Sequence, residues 1–103
     1  MSCVHVLCVR LCGRCILSMS LGGGRSTAEN RAVAAAHEAG CLVVAAAGNN
    51  NGDACLKSPA SAPEAITVGS TTSSDSKSSF SNWGPCVDIQ APGSSVKVMP
   101  AED

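Results

Sequence analysis

The chain has 103 residues, a net charge of -1, and 45% hydrophobic against 15% charged residues. This composition excludes a disordered polypeptide, sets a limit of one small domain, and offers no basic patch for nucleic acid or an anionic membrane. No apolar stretch reaches the roughly 18 residues of a membrane span. Much of the apolar content is Ala, Val and Cys, with Phe80 and Trp83 the only aromatics. Side chains this small bury little area per residue.

Residues 1–17 carry apolar Val4, Val6, Leu7, Val9 and Leu11, but Arg10 and Arg14 interrupt them and no basic residue precedes them. The three-part pattern of a secretory signal is not met. Of seven cysteines, Cys3, Cys8, Cys12 and Cys15 crowd this segment, and Cys41, Cys55 and Cys86 are scattered. The odd count leaves at least one thiol unpaired in a monomer. Cys8-x3-Cys12-x2-Cys15 resembles metal-ligand spacing, yet no second CxxC or His pair completes a zinc pattern. Buried thiols or disulfides are the simpler expectation.

Residues 16–21 alternate and predict a strand. Gly22-Gly23-Gly24 ends it and permits close backbone approach by another chain. Ser26-Thr27-Ala28-Glu29 is a capping box that predicts a helix to about Ala39, with Gly40 as its stop. Ala28, Ala32, Ala35, Ala36 and Ala39 are expected to form a small-residue face lying on a sheet. Residues 41–47 form a short all-apolar run, as in a strand buried on both faces. It ends abruptly in Gly48-Asn49. Taken alone, that ending favours an ordinary turn, since Asn and Gly gather in turns for backbone reasons. An amide held at a rigid strand end can also stabilise a developing oxyanion.

Strand, capped helix and buried strand make a βαβ unit, hence an α/β fold with a mostly parallel sheet. Ligands bind such sheets beyond the carboxyl ends of the strands. Gly22 and Gly48-Asn49 are both expected at that edge, which raises the functional reading of Asn49. Residues 50–62 predict a loop and residues 65–69 a further strand. Residues 71–79 are Ser-rich and predict a surface loop. Residues 79–83 and 86–89 are expected as short strands around a Gly84-Pro85 turn, and residues 99–103 as a frayed tail.

Ser20-Leu21-Gly22-Gly23-Gly24, residues 44–51, Ser58-Pro59-Ala60-Ser61, Ile66-Thr67-Val68-Gly69, Ser78-Ser79-Phe80-Ser81-Asn82-Trp83-Gly84 and Asp88-Ile89-Gln90-Ala91-Pro92-Gly93 follow one another over about residues 16–96. In this order they resemble the subtilisin-like serine proteases, with the proteinase K branch the nearest likeness. The resemblance implies a fragment of the subtilisin-like three-layer fold. It implies Asn49 as the oxyanion-hole asparagine, and Ser20, Leu21 and Gly22 as the strand that pairs with an extended peptide substrate. It implies Ala46, Ala47 and Gly48 as a wall of the pocket for the side chain before the scissile bond. Pro63, Ala65 and Asp88 match a calcium site, two carbonyls and a carboxylate being suitable hard ligands. Asp88 could equally be a turn-capping acid. No organic cofactor is implied.

The catalytic Asp and His of the resemblance belong in segments before residue 16, where this chain has an atypical Cys-rich stretch, residues 1–15. The nucleophile belongs in a Gly-Thr-Ser-Met-Ala-like motif beyond Gly93, and the chain ends before one. A triad needs its three side chains within hydrogen-bond reach, so none is carried over; His5 and His37 are expected as surface or packing residues. Residues 16–103 are therefore read as a partial catalytic domain of a serine endopeptidase, inactive in isolation. Two other readings stand beside it: a non-catalytic peptide-binding module, and a metal- or redox-active cysteine protein. The family suggests secretion, without a clear signal in this chain. An isolated fragment would leave sheet edges open and is expected to be poorly soluble.

Overall fold

The computed structural model describes residues 5–11 and 13–99. Strands β1 (His5–Leu11) and β2 (Arg14–Ser20) form an antiparallel hairpin, followed by the short β3 (Gly23–Gly24), helix α1 (Thr27–Glu38) and β4 (Cys41–Ala46). Then come β5 (Lys57–Ser58), β6 (Ile66–Thr71) and β7 (Ile89–Pro92). The main sheet has the order β1-β2-β4-β6-β7, and all its pairs beyond the first hairpin are parallel. β3 and β5 make a separate two-stranded ribbon. The α/β class and the mostly parallel sheet are those expected from the βαβ pattern.

The helix begins as its capping box predicts. Ser26 is the N-cap, its Oγ accepting from the Glu29 N–H at 3.2 Å. It ends with Ala39 as C-cap, and Gly40 follows at φ +92, a conformation suited to glycine. The alanine face is not the one that packs. Val33 is the buried helix residue, with Ala36 against the same core, while Ala28, Ala32, Ala35 and Ala39 are exposed. Val33 and Ala36 lie three apart on one face, and the larger Val side chain gains more from burial against Val43 and Ala45.

Two small cores result. Val33, Val43, Ala45, Ala62 and Ala65 form the first, supported by Leu17 and Met19. Ala47, Ala54 and Ala60 form the second, against Cys86 and Val87. Buried Ser58, Thr67, Ser78, Ser81 and Asn82 lie around these cores, and every buried side-chain polar atom among the described residues has a partner.

The helix covers one face of the sheet. The register Ile16↔Leu42, Val44↔Ile66 and Val68↔Ile89 sets the other apolar set on the opposite face. There Ile16, Leu42, Ile66 and Ile89 are exposed.

Several boundaries differ from expectation. β1 and the start of β2 lie inside the segment read as atypical. Residues 79–83 form no strand, because their backbone bonds to another loop: Phe80 carbonyl accepts from Asn51 N–H, and Asn82 and Trp83 N–H donate to the Gly48 and Gly52 carbonyls. Residues 86–88 likewise precede β7, whose edge position tolerates Pro92. The glycine run does meet another segment, but from the same chain, since Gly23 and Gly24 pair with Ser58 and Lys57.

Cys15 is disulfide-bonded to Cys41 across β2 and β4, and Cys55 to Cys86. Cys8 is an exposed free thiol. Cys3 and Cys12 lie outside the described residues, as does most of the expected tail. With Cys15 in a disulfide, the Cys8-x3-Cys12-x2-Cys15 ligand set is not available to a metal. No cluster of three or more His, Cys, Asp or Glu residues suited to a metal ion occurs among the described residues.

Candidate active site

The carboxyl ends of β2 and β4 open on one cavity of about 430 Å³, lined by Ser20, Leu21, Gly22, Ala46, Ala47 and Gly48 among others. The structure thus brings the expected substrate strand and pocket wall together. Asn49 follows β4 at the same edge. It is exposed and lines both this cavity and a second one of about 600 Å³, bounded by Ser18, Val44, Val68, Phe80 and Pro92. Its side-chain amide makes no hydrogen bond among the described residues, so its two N–H donors are open to a ligand.

The loop that presents Asn49 is held from below by a residue whose role the sequence did not reveal. Asn82 is wholly buried. Its Oδ1 accepts from the N–H groups of Asn50 at 3.1 Å and Gly52 at 2.9 Å. Its Nδ2 donates to the Ala47 carbonyl at 2.8 Å, and its own N–H to the Gly48 carbonyl at 2.9 Å. These bonds engage the backbone on both sides of Asn49. A buried amide satisfied at both ends fixes its surroundings strongly. Gly48 is required in this arrangement: it sits at φ +106, and a Cβ there would fall on the Asn82 amide.

Further ties act on the same loop. Lys77 Nζ donates to Asn51 Oδ1 at 3.1 Å and to the Ser78 and Ser81 carbonyls at 3.0 and 3.2 Å. Asp53 Oδ1 accepts from Cys55 N–H at 2.9 Å, just before the disulfide to Cys86. The motif Ser81-Asn82-Trp83-Gly84 was visible as part of a family pattern. Its function as a brace was not, because its partners are some thirty positions away along the chain.

At the opposite end of β6, Thr67 and Asp88 bind each other twice. Thr67 N–H donates to Asp88 Oδ2 at 2.7 Å, and Asp88 N–H donates to the Thr67 carbonyl at 2.8 Å. This is the acid-capping arrangement, and it occupies one carboxylate oxygen. Pro63 and Ala65 lie in the turn that leads into β6. The Pro63 and Ala65 carbonyls accept no turn or loop hydrogen bond among the described residues.

Residues 12–102 match the model of the Subtilase family, Peptidase_S8. The chain is 55% identical over 85 residues to alkaline serine exoprotease A of Vibrio alginolyticus, covering 82% of this chain and 16% of that protein. It is 60% identical over 84 residues to subtilisin-like protease 4 of Trichophyton rubrum, covering 82% and 21%. A solved structure of a cold adapted subtilisin-like serine proteinase superposes with a TM-score of 0.77 at 60% identity, covering 79% of this chain and 30% of that one. A Pseudoalteromonas arctica protease gives 0.73 at 30% identity, covering 81% and 25%. The site is therefore part of a serine protease fold. The chain belongs to the subtilase family and spans about a fifth or less of these two curated relatives' length.

Proposed function

We propose that this chain is the substrate-binding and oxyanion-hole portion of a serine endopeptidase of the proteinase K-like branch. The observation that supports this most directly is the open amide of Asn49, held at the carboxyl edge of β4 beside a cavity walled by Ala46, Ala47 and Gly48. In this reading an extended peptide runs along Ser20, Leu21 and Gly22 with main-chain hydrogen bonds. The side chain before the scissile bond enters the cavity. The Asn49 amide donates to the oxygen that gains charge as the carbonyl is attacked, and the fixed loop means little reorganisation at that moment. No residue of this sequence is assigned as nucleophile, base or orienting acid, and the 103-residue chain by itself is expected to show no triad-dependent turnover.

Pro63, Ala65 and Asp88 are proposed as a calcium site. The residues fit such an ion in type: two carbonyls free of loop bonds and a carboxylate with one oxygen already fixed by Thr67. Bound there, calcium would tie the start of β6 to residue 88 and stabilise the fold.

The test uses an intact catalytic domain rebuilt by placing residues 16–96 in the matching span of a full-length relative. Asn49→Ala in that domain is expected to lower kcat about 10²–10³-fold with little change in KM, a cost already known for this type of donor in a subtilisin rather than worked out here. An unchanged kcat would remove Asn49 from the oxyanion role.

A further inference from the structure

The cavity beside Asn49 has an apolar wall and one charged group. Leu21, Ala46, Ala47 and Ala60 supply the apolar surface, and Lys57 is the single ionisable side chain among the lining residues. Lys57 lies in β5, and its backbone is fixed on two sides. Lys57 pairs with Gly24 of β3, and its carbonyl accepts from Ser61 N–H at 2.9 Å. The side chain is half-buried. Its ammonium makes no hydrogen bond to any described residue, whereas that of Lys77 has three oxygen acceptors. No carboxylate lines the cavity to neutralise it.

A half-buried lysine whose ammonium has no protein partner favours an anionic guest. The apolar wall favours a guest that also brings methylene groups. An acidic amino-acid side chain meets both requirements, and glutamate reaches farther into the cavity than aspartate. We propose that this cavity takes an acidic side chain, glutamate above all, immediately before the scissile bond, and that Lys57 sets the preference. This rests on the cavity being the pocket for that side chain, as argued above. It adds a substrate class to it: peptides cleaved after acidic residues.

A lysine stem can lie along an apolar wall with its charged head near water, and Lys57 as a whole is half-buried. The guest carboxylate would therefore meet the ammonium at a half-exposed position, and the gain belongs at the lower end of a charge-assisted hydrogen bond, about tenfold in selectivity. Arginine at this position preserves the charge, methionine removes it at similar length, and glutamate reverses it.

The experiment compares peptide substrates that differ only in Glu or Gln before the cleaved bond, using the rebuilt catalytic domain. The readout is the ratio of the two kcat/KM values, which a purely structural effect on the enzyme would cancel. The parent is expected to favour Glu by about tenfold at low salt, and less at high salt. Lys57→Arg should keep the preference, Lys57→Met should bring the ratio to near one, and Lys57→Glu should favour a Lys substrate over Gln. Equal rates for Glu and Gln in the parent, or a preference that survives Lys57→Met, overturn the proposal. The wider reading has a separate control: if Asn49→Ala lowers kcat while Glu is not preferred, the oxyanion role stands and only the Lys57 inference fails. A second measurement uses the rebuilt catalytic domain. The ε-methylene resonance of Lys57 should shift with a Glu-ended peptide amide and not with its Gln counterpart, and the absence of that difference also counts against the proposal.

Discussion

Gly48→Ala probes whether the loop carrying Asn49 is held as a fixed unit. Gly48 lies at φ +106, and an added Cβ would come within 3.2 Å of Asn82 Cγ and closer still to its Nδ2. Two costs follow. Holding alanine in that backbone region costs about 1–3 kcal/mol. Pushing the Asn82 amide aside endangers its bonds to Asn50, Gly52 and Ala47, worth about 1 kcal/mol net apiece and so about 3 kcal/mol together. The combined loss of about 5 kcal/mol is comparable with the whole stability of a marginal domain. The assay is urea unfolding of the rebuilt catalytic domain, with and without Asn82→Ala. In the Asn82→Ala background the steric part has already gone, so Gly48→Ala should cost only the backbone strain of about 1–3 kcal/mol. Strict additivity of the two substitutions, or a Gly48→Ala domain within about 1 kcal/mol of its parent, would refute the bracing role assigned to Asn82.

Other expectations are equally direct. If the proposed calcium site is right, added calcium should raise the Tm of the rebuilt domain but not that of its Asp88→Asn variant, which keeps an acceptor for Thr67 N–H and loses the charge; an equal calcium response in the two excludes Asp88 from the site. Ser58 is wholly buried and its Oγ accepts from Ser26 N–H at 2.9 Å while contacting Asn30 Oδ1 at 2.7 Å. Ser58→Ala should therefore destabilise the rebuilt domain by about 1–3 kcal/mol in urea unfolding, and an unshifted midpoint would show that the hydroxyl does not anchor the helix start. In the 103-residue chain, Leu42→Lys should raise the soluble fraction on expression because Leu42 is 42% exposed on the open sheet face, whereas Val43→Lys, at a position 1% exposed, should abolish it. Equal losses from the two would contradict the open face.

Local chemistry made part of this fold readable. The Ser26 cap, the Gly40 stop and the apolar run from residue 41 each act within a few neighbours, and α1 and β4 lie where those signals set them. The place of Asn49 just beyond the end of β4 was legible for the same reason, as the polar end of an apolar strand. What was missed depends on distant partners. The helix contacts the sheet through Val33 because only the sheet's position decides which face is covered. Asn82 and Lys57 look like ordinary polar residues until the loop at residues 47–52 and the β3–β5 ribbon are in place. β1 escaped notice because its alternation is interrupted by Arg10, and because a single edge pairing, with β2, is all that defines it. The cysteine pairings likewise needed the β2–β4 register.

The brace around Asn49 lies wholly within residues 47–88: loop, buried amide, lysine tie and disulfide all belong to one continuous stretch of chain. Such a unit can be inherited, recombined or copied without dismantling the geometry of its donor. Lys57 lies inside that stretch but outside the brace, on a strand whose pairing is independent of Asn82. Under the roles proposed above, substitutions at position 57 would alter which peptide is accepted and leave the support of Asn49 unchanged. On that reading, the preference for a peptide and the means of stabilising its reaction reside on different residues.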